Sequence, residues 1–437
     1  MISLDITSLV KAIVALLLAG VVVLIWWQQR RLLPLLTPHE RAVRWLTFIG
    51  LRLLPFVVIY LLLDQEPRSD VKFFWDRAVP ALQGKMVYRD FISYHAPIFT
   101  YLTVLPLLIW YNARSIILMM ALIEFVILNA TYQYARRRAG QATGEALLRY
   151  VLYYALPVSF VAIVLSSEED IWFWGFGLLT LALLARGLRS DTRAFAYRAG
   201  LLWGLGMVVI KFMLIVLIIP LFFMIRQRLW FVLGLLTIGV PTLLVLYSLM
   251  DIQYVLMPIQ HSSYPMAPNL ASVLRPILAS LLGTTTLTSL NWIGLLGVIG
   301  GGSWVAWQHR HVGYERAFVP FFCFLFTLFM LLLPSAPGYY IYVHLATVCF
   351  FMLDNRRSHW VRMALLNVLL TVQPILMVVY ADNRTYTSVS MLFDSPVFLL
   401  DYVIQVASVG LLIWLARLCY TKLVVSGSVA KSAGAYD

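Results

Sequence analysis

Long apolar runs separated by short polar segments recur along the chain from about residue 8 to residue 418. Most of these runs approach the ~20 residues that an α-helix needs to cross the hydrocarbon core of a bilayer. The pattern therefore predicts an all-α, polytopic helix bundle with about thirteen transmembrane helices. The predicted spans are 8–27, 43–63, 114–134, 149–165, 171–187, 196–210, 212–225, 229–249, 290–307, 317–333, 339–353, 360–380 and 397–418.

One further apolar run, at residues 97–111, does not fit this series. It contains Pro97 and Pro106, and it ends in Trp110 and Tyr111. Counting it as a span would reverse the orientation of every basic cluster that follows. We therefore predict an interfacial or re-entrant helix here, within the first large outer loop.

The charged residues set the class of the protein and the orientation of the bundle. Of 437 residues, 62% are hydrophobic and 12% are charged, against roughly 25% charged in soluble domains. The net charge of +13 comes from basic clusters between apolar runs, which is the positive-inside pattern and excludes a nucleic-acid-binding surface. We expect these clusters to be cytoplasmic, with the N-terminus outside and the C-terminus inside. They include Arg30/Arg31, Arg136–Arg138, Arg186/Arg189, Arg226/Arg228, Arg310/Arg316 and Arg356/Arg357.

No polar stretch is long enough to form a separate soluble domain, so we expect a single transmembrane domain over residues 1–423. We divide it into an additional N-terminal helix with its cytoplasmic loop at 8–42, a core at 43–353 and C-terminal helices at 354–423. Residues 424–437 are mostly small and polar, and they predict a flexible cytoplasmic tail.

The predicted outer loop that begins at Asp64 carries the first group of candidate residues. Its segment from Asp70 to Asp76 mixes carboxylates with large aromatic side chains directly after a membrane span. A carboxylate that loses solvent there has a raised pKa and greater basicity, so Asp70 is a candidate general base. The alternative is that this segment is an ordinary solvated loop.

A second acidic group, Glu168-Glu169-Asp170, lies in a predicted outer loop of only a few residues. Three adjacent carboxylates repel one another, which favours a metal ion or a cationic partner nearby. The alternative is a hydrated hairpin whose acidic side chains favour the positive end of the next helix dipole.

Two ionisable residues interrupt apolar runs. Lys211 is either a functional residue, with phosphate as its natural partner, or a lysine whose side chain snorkels to the outer interface. Residues 196–225 around it form either two broken helices or one long tilted helix. His344 lies about one turn into another run, after Tyr339 and Tyr340, which are most simply an aromatic belt.

Together, these segments resemble the C superfamily of glycosyltransferases, polytopic enzymes that use lipid-phosphate-linked sugars. The resemblance is to its mannosyltransferase branch, which includes the GPI first-mannose transferase and bacterial polyprenyl-phosphate-mannose-dependent enzymes. It covers residues 43–353. The segments that carry it are Asp70 to Ala78 with Gly84 and Tyr88, then Tyr94-His95-Ala96-Pro97, then Ser166 to Asp170, then Gly204-Leu205-Gly206 through Lys211.

The resemblance implies an inverting transfer on the extracytoplasmic face. A sugar, mannose in that branch, passes from a polyprenyl-phosphate donor to a lipid-linked, glycan or protein acceptor. Asp70 is then the catalytic base, and Lys211 stabilises the phosphate that leaves. The implied substrate-binding residues are Asp76, Tyr88, Tyr94, His95, Glu168, Glu169, Asp170, Lys211, Tyr340 and His344.

The sequence departs from these relatives at a position that bears on metal binding. Several of them have Asp-x-Asp in the first loop, whereas the first position here is Arg68. We therefore expect neither a metal ion nor another cofactor. The three cysteines, Cys323, Cys349 and Cys419, lie in apolar segments without metal-binding spacing.

The expected partners are the donor, the acceptor and membrane lipids, for a chain that acts as a monomer and binds no nucleic acid. The expected location is a bacterial plasma membrane, with the active site outside and a role in cell-envelope glycolipid biosynthesis, or the endoplasmic reticulum membrane in a eukaryote. A transporter or flippase of lipid-linked sugars is one alternative, although transporters usually carry inverted repeats and none is evident. A non-catalytic scaffold subunit, which would tolerate loss of Asp70, is the other.

Overall fold

The computed structural model describes residues 6–249, 264–278, 287–380 and 385–433. Within these ranges the protein is all-α, and an isolated bridge between Val87 and Phe91 is the one β-type pairing. The helices are α1 (Ile6–Trp27), α2 (Gln29–Leu62), α3 (Asp70–Leu82), α4 (Pro97–Ile109), α5 (Arg114–Arg137), α6 (Thr143–Ala155), α7 (Pro157–Ser166), α8 (Ile171–Ala185), α9 (Arg193–Val209), α10 (Phe212–Met224), α11 (Arg228–Leu249), α12 (Leu270–Leu274), α13 (Leu287–Gln308), α14 (Tyr314–Leu332), α15 (Gly338–Met352), α16 (Arg357–Tyr380) and α17 (Pro396–Ala433).

Eight helices in the described part of the chain are long and apolar enough to cross a membrane, namely α1, α2, α5, α11, α13, α14, α16 and α17. Helices α6 and α7 together form a ninth candidate, bent by 64°. The bend lies where Leu156 is extended ahead of Pro157, because proline disfavours the helical conformation of the residue before it. The predicted polytopic helical membrane protein is confirmed.

The number of full-length spans is lower than the sequence pattern predicted. Four of the predicted spans correspond to the shorter helices α8, α9, α10 and α15, of which α8 has 15 residues and α9 has 17. Helices of this length rise roughly 22–26 Å, less than the ~30 Å hydrocarbon core. By length and composition alone, eight helices in the described residues are candidate full spans, or nine when the bent pair counts as one.

The first outer loop contains the two helices that bring candidate residues to the rest of the bundle. Helix α3 begins at Asp70, and α4 consists of two short segments, with Pro97 opening the first and Pro106 near the start of the second. Helix α4 packs against α9, so the loop is folded onto the bundle.

The C-terminal segment differs from the predicted flexible tail. Helix α17 continues from Pro396 through Ala433, so residues 424–433 are helical. Residues 434–437 lie outside the described part of the chain.

A buried ion pair ties the centre of the bundle together. Arg52 of α2 and Glu124 of α5 form two hydrogen bonds of 2.7 and 3.0 Å, and both side chains are fully buried. The hydroxyls of Tyr153 and Tyr342 also donate to Glu124, at 3.0 and 3.1 Å. These bonds join α2, α5, α6 and α15. A buried charge is costly unless it is paired and hydrogen-bonded, so this cluster fixes how the four helices meet.

Helices α9 and α11 cross in backbone contact at Gly200 and Gly234, where no side chain would fit. A Cβ added at Gly200 would overlap the carbonyl oxygen of Phe231, and one added at Gly234 would overlap that of Tyr197. Small residues let membrane helices approach to backbone contact, which explains why glycines face each other here.

Replacing Arg52 should show how much free energy it costs to bury Glu124 without a cation. We expect Arg52→Met to lower the free energy of unfolding by about 3–5 kcal/mol, because it leaves Glu124 buried without its cation. Adding Glu124→Gln should recover part of this loss, since the glutamine is neutral. Thermal unfolding of the purified variants measures both effects, and a double variant no more stable than the single one would contradict this explanation.

The glycine crossing offers a matched pair of substitutions on α11. We expect Gly234→Ala to destabilise the protein by about 1–3 kcal/mol, because the new methyl group must push the helices apart. Gly239→Ala has open space around its added Cβ, and it should be neutral or stabilising by up to ~1 kcal/mol. Equal melting temperatures for the two variants in the same detergent would rule out the close crossing.

Candidate functional site

Lys211 occupies a break between two helices. Helix α9 ends at Val209, Lys211 is extended with φ −150° and ψ 148°, and α10 begins at Phe212. The break frees the carbonyl of Ile210, which accepts a hydrogen bond of 3.0 Å from the backbone N–H of Ala96. The sequence left open whether this region is one helix or two, and the structure has two.

The loop of residues 167–170, which we call the acidic loop, turns the chain from α7 into α8. Ser167 adopts a left-handed conformation at φ 58° and ψ 40°. The N–H of Glu168 bonds to the carbonyl of Ala162 at 2.8 Å, and the N–H of Trp172 bonds to that of Glu169 at 2.8 Å. These bonds hold the three acidic residues in a buried turn, where Glu168 is 3% exposed and Glu169 and Asp170 are 0% exposed.

The acidic loop and the helix break meet through Lys211. Its Nζ lies 2.5 Å from Glu169 Oε1 and 2.9 Å from Asp170 Oδ1, and 5.5 Å from the ring centroid of Tyr340. His95 Nε2 lies 3.1 Å from the same Glu169 oxygen. The predicted cationic partner of the acidic group is therefore Lys211, and the snorkelling alternative for this side chain does not hold.

His95 is positioned by the first outer loop. Its ring packs against Phe74 of α3 and Phe99 of α4, with centroids 5.0 and 4.5 Å away. Its carbonyl accepts a hydrogen bond from the hydroxyl of Tyr88, which is itself buried. Tyr88 therefore contributes to the site indirectly, by fixing the backbone of His95.

Asp70 lies near the acidic loop without bonding to it. It is the first residue of α3, follows Ser69 with its positive φ of 60°, and is partly exposed. Its charge acts on both Glu168 and Asp170. Asp70 thus combines access to solvent with proximity to the buried carboxylates, as a group that meets a substrate must.

Burial sets different protonation states along the acidic loop. It raises the pKa of Glu168 well above its ordinary value, and repulsion from Asp70 and Asp170 adds to this. Burial also raises the pKa of Asp170 to about 6, although Lys211 opposes the change. At Glu169, the charges of Lys211 and His95 outweigh the effect of burial and lower the pKa. Glu168 therefore keeps its proton to a higher pH than an ordinary glutamate, whereas Glu169 is the anion that Lys211 holds.

Four polar atoms of the acidic loop are buried without a hydrogen-bond partner among the described residues. They are Ser167 Oγ, Glu168 Oε2, Glu169 Oε2 and Asp170 Oδ2. Unsatisfied buried polar atoms are rare in folded proteins and need an explanation. A polar ligand or ordered water that bridges them supplies one. In the described chain, no group of three or more His, Cys, Asp or Glu side chains is arranged to hold a metal ion.

Three of the predicted substrate-binding residues lie apart from this network. Asp76 is exposed on α3, and Tyr94 is 51% exposed, with the guanidinium of Arg77 5.6 Å from its ring centroid. His344 is fully buried, and its Nε2 lies 3.0 Å from Thr327 Oγ1. It therefore packs between α14 and α15 and presents no surface to a substrate from outside.

Two buried polar clusters were missed from the sequence. One is the Arg52–Glu124 pair described above, and the other centres on Asp401 of α17. Asp401 accepts hydrogen bonds from Gln373 at 3.1 Å, Tyr386 at 2.8 Å and Gln405 at 2.7 Å. In each case, a charged residue inside an apolar run was a usable signal.

Comparisons of this chain with family models, with curated proteins and with solved structures found no match.

The acidic loop predicts a characteristic dependence of stability on pH. The folded protein keeps a proton on Glu168 that the unfolded chain releases above about pH 4.5, so stability falls as pH rises from there toward the raised pKa. Glu168→Gln removes this titration, and its melting temperature should fall less between about pH 5 and about pH 8.

Glu66→Gln is the control for this measurement, because Glu66 is an exposed carboxylate in the first outer loop. It should follow the wild-type profile. If Glu168→Gln also follows the wild-type profile, then Glu168 does not hold the proton.

Proposed function

We propose that this protein is an inverting membrane glycosyltransferase that transfers a sugar, mannose by resemblance, from a polyprenyl-phosphate donor. The observation that carries the proposal is the meeting of Asp70 with the acidic loop at the Lys211 break. Asp70 is partly exposed there, its charge acts on Glu168 and Asp170, and the acidic loop contains buried polar atoms that lack partners. The order of the matching segments along residues 43–353 supports the same family.

Asp70 is the proposed general base. It accepts the proton of the acceptor hydroxyl while that oxygen attacks the anomeric carbon, and the donor phosphate leaves. Base catalysis by a positioned carboxylate is effective when the group reaches the reacting proton. Asp70 is the acidic residue here that is both near the acidic loop and open to solvent.

Lys211 takes a different role from the one that the resemblance implied. Glu169 and Asp170 both bond to its ammonium group and offset its charge. We therefore assign Lys211 to holding the acidic loop against α9 and α10, and we do not assign the donor phosphate to it. The unpartnered carboxyl oxygens beside it are suited to accept hydrogen bonds from sugar hydroxyls.

The exposed aromatic side chains near Asp70 are proposed to bind the sugar or the acceptor. Arg77 connects them, because its guanidinium lies 5.3 Å from the ring of Phe73 and 5.6 Å from that of Tyr94. Tyr94 directly precedes His95 of the site, so this surface leads from solvent to the acidic loop.

The finer topology belongs to the same proposal. We propose that the acidic loop faces the extracytoplasmic side of a plasma membrane, since the basic clusters favour the other side as cytoplasmic. Helix α4 then lies at the outer interface. The short helices α8, α9, α10 and α15 are proposed to be the remaining four of the thirteen spans that the hydropathy pattern predicted.

A transporter of lipid-linked sugars is the second candidate, and the helix break favours it. Broken helices near a binding site are typical of secondary transporters, and α9 and α10 are separated by the extended Lys211. A transporter would move the lipid-linked sugar across the bilayer without breaking the glycosidic bond.

We expect Asp70→Asn to lower the rate of sugar transfer by about 10²–10⁴-fold, because asparagine keeps the shape but accepts no proton. Asp76→Asn is the matched control, since Asp76 is an exposed carboxylate on the same helix, and its rate should stay within a few-fold of wild type. The assay follows radiolabelled transfer from a panel of polyprenyl-phosphate sugars in liposomes, with thermal stability measured in parallel.

Near-normal turnover by a folded Asp70→Asn variant would refute the base assignment. If Glu169→Gln alone abolished transfer without unfolding the protein, the base would lie in the acidic loop. Lipid movement by the wild type without any sugar transfer would favour the transporter.

A further inference from the structure

A cavity of about 340 Å³ lies at the other end of the helices that hold the acidic loop. Helix α8 starts at Ile171, next to the acidic loop, and its last turn contributes Leu184 to the cavity. Helix α10 starts beside Lys211 and ends at the cavity residue Met224. The 15 residues of α8 separate the two places by roughly 22 Å, so the cavity is independent of the proposed active site.

Three arginines from three different loops line this space, which we call the arginine cavity. Arg189 comes from the loop between α8 and α9, Arg226 from the loop between α10 and α11, and Arg310 from the loop between α13 and α14. Asp191 and Glu315 also line it, so the side chains leave one net positive charge. Like charges placed together from separate loops repel, and the two carboxylates offset only two of the three positive charges.

The three guanidinium groups differ in whether they form a salt bridge with a carboxylate. Arg189 bonds to Asp191 at 3.0 Å. Among the described residues, Arg226 and Arg310 form no salt bridge. Arg310 is nevertheless held in place, since it donates to the carbonyl of Trp307 at 2.8 Å and stacks 3.9 Å from the centroid of that ring. A fixed guanidinium loses less conformational entropy when it binds a ligand.

The remaining lining mixes apolar side chains at or near the helix ends with Ser190, Gly313 and Tyr314. Leu184 and Leu188 line one part of the cavity, and Met224 and Ile225 line another. A space this large holds more than a few waters, each of which fills about 30 Å³ in the liquid. Its combination of an apolar wall with guanidinium groups matches a phosphate ester that carries a less polar portion.

We propose that the arginine cavity binds a phosphoryl group, held chiefly by Arg226 and Arg310. Guanidinium groups bind phosphate oxygens in bidentate fashion. Basic pockets between transmembrane helices on the positively charged side of a bundle suit anionic lipid headgroups. The phosphoryl group comes either from such a headgroup or from a soluble phosphate, and both present the same chemistry to the arginines.

The test compares binding by wild type and by Arg226→Gln/Arg310→Gln. One arm titrates phosphatidylglycerol into protein held in a zwitterionic detergent, with bound lipid counted by native mass spectrometry. The other arm titrates inorganic phosphate and glycerol 3-phosphate, with thermal stability as the readout. We expect the double variant to bind the effective ligand at least ~10-fold more weakly, as loss of charge-assisted hydrogen bonds requires.

Arg356→Gln/Arg357→Gln is the matched control, because Arg356 and Arg357 are exposed like Arg226 and Arg310 but lie outside the cavity lining. It should bind like wild type. Glu315→Gln provides a second variant in the opposite direction, since removing this cavity carboxylate should tighten binding.

Each outcome is decisive. Weaker phosphatidylglycerol binding in the cavity variant alone supports the site with a lipid source, and the same pattern with inorganic phosphate or glycerol 3-phosphate supports it with a soluble source. Equal losses in the cavity and control variants would show binding to the general positive charge and overturn the proposal. Absence of binding by wild type in both arms would overturn it as well.

Discussion

The bond between the Lys211 ammonium and the carboxylates of Glu169 and Asp170 is the interaction on which the candidate site depends. A helix that breaks inside a membrane protein exposes polar backbone groups and, here, a charged side chain in a region with little water. Such groups persist only where the protein itself satisfies them. The acidic loop supplies the countercharge to Lys211, and the first outer loop supplies the Ala96 N–H that bonds to Ile210.

This arrangement explains why the outer loop lies where it does. The loop is attached to the break through its backbone at Ala96 and through the imidazole of His95, while α4 packs on α9. Asp70 is carried to the edge of the acidic loop by the same attachment. A carboxylate with partial access to solvent is thereby placed near carboxyl groups that have almost none.

The Arg52–Glu124 pair plays the corresponding role in the middle of the bundle. Its bonds connect four helices, among them α15, which carries Tyr340 toward Lys211. The arginine cavity at the opposite end contrasts with both clusters, because two of its three guanidinium groups lack a carboxylate partner among the described residues. The cations Arg52 and Lys211 are therefore paired with carboxylates, whereas Arg226 and Arg310 form no salt bridge with any described residue.

The sequence by itself determined that this is an all-α, multi-pass membrane protein. A helix satisfies its own backbone in lipid, and its ~20 apolar residues are visible in the hydropathy pattern. It also indicated that Lys211 needed a partner, since a charge is costly in an apolar run, and that the three adjacent acidic residues needed one, since their charges repel. Only the tertiary structure decided that Lys211 pairs with the acidic loop and that His95 contacts Glu169. It also showed that His344 forms a hydrogen bond with Thr327. The hydropathy pattern located Lys211 between two apolar runs, but it showed neither the 64° bend between α6 and α7 nor how short some of the helices are. These pairings depend on contacts between residues that are far apart in the chain. A linear pattern of polar and apolar residues does not show which of them come close in space.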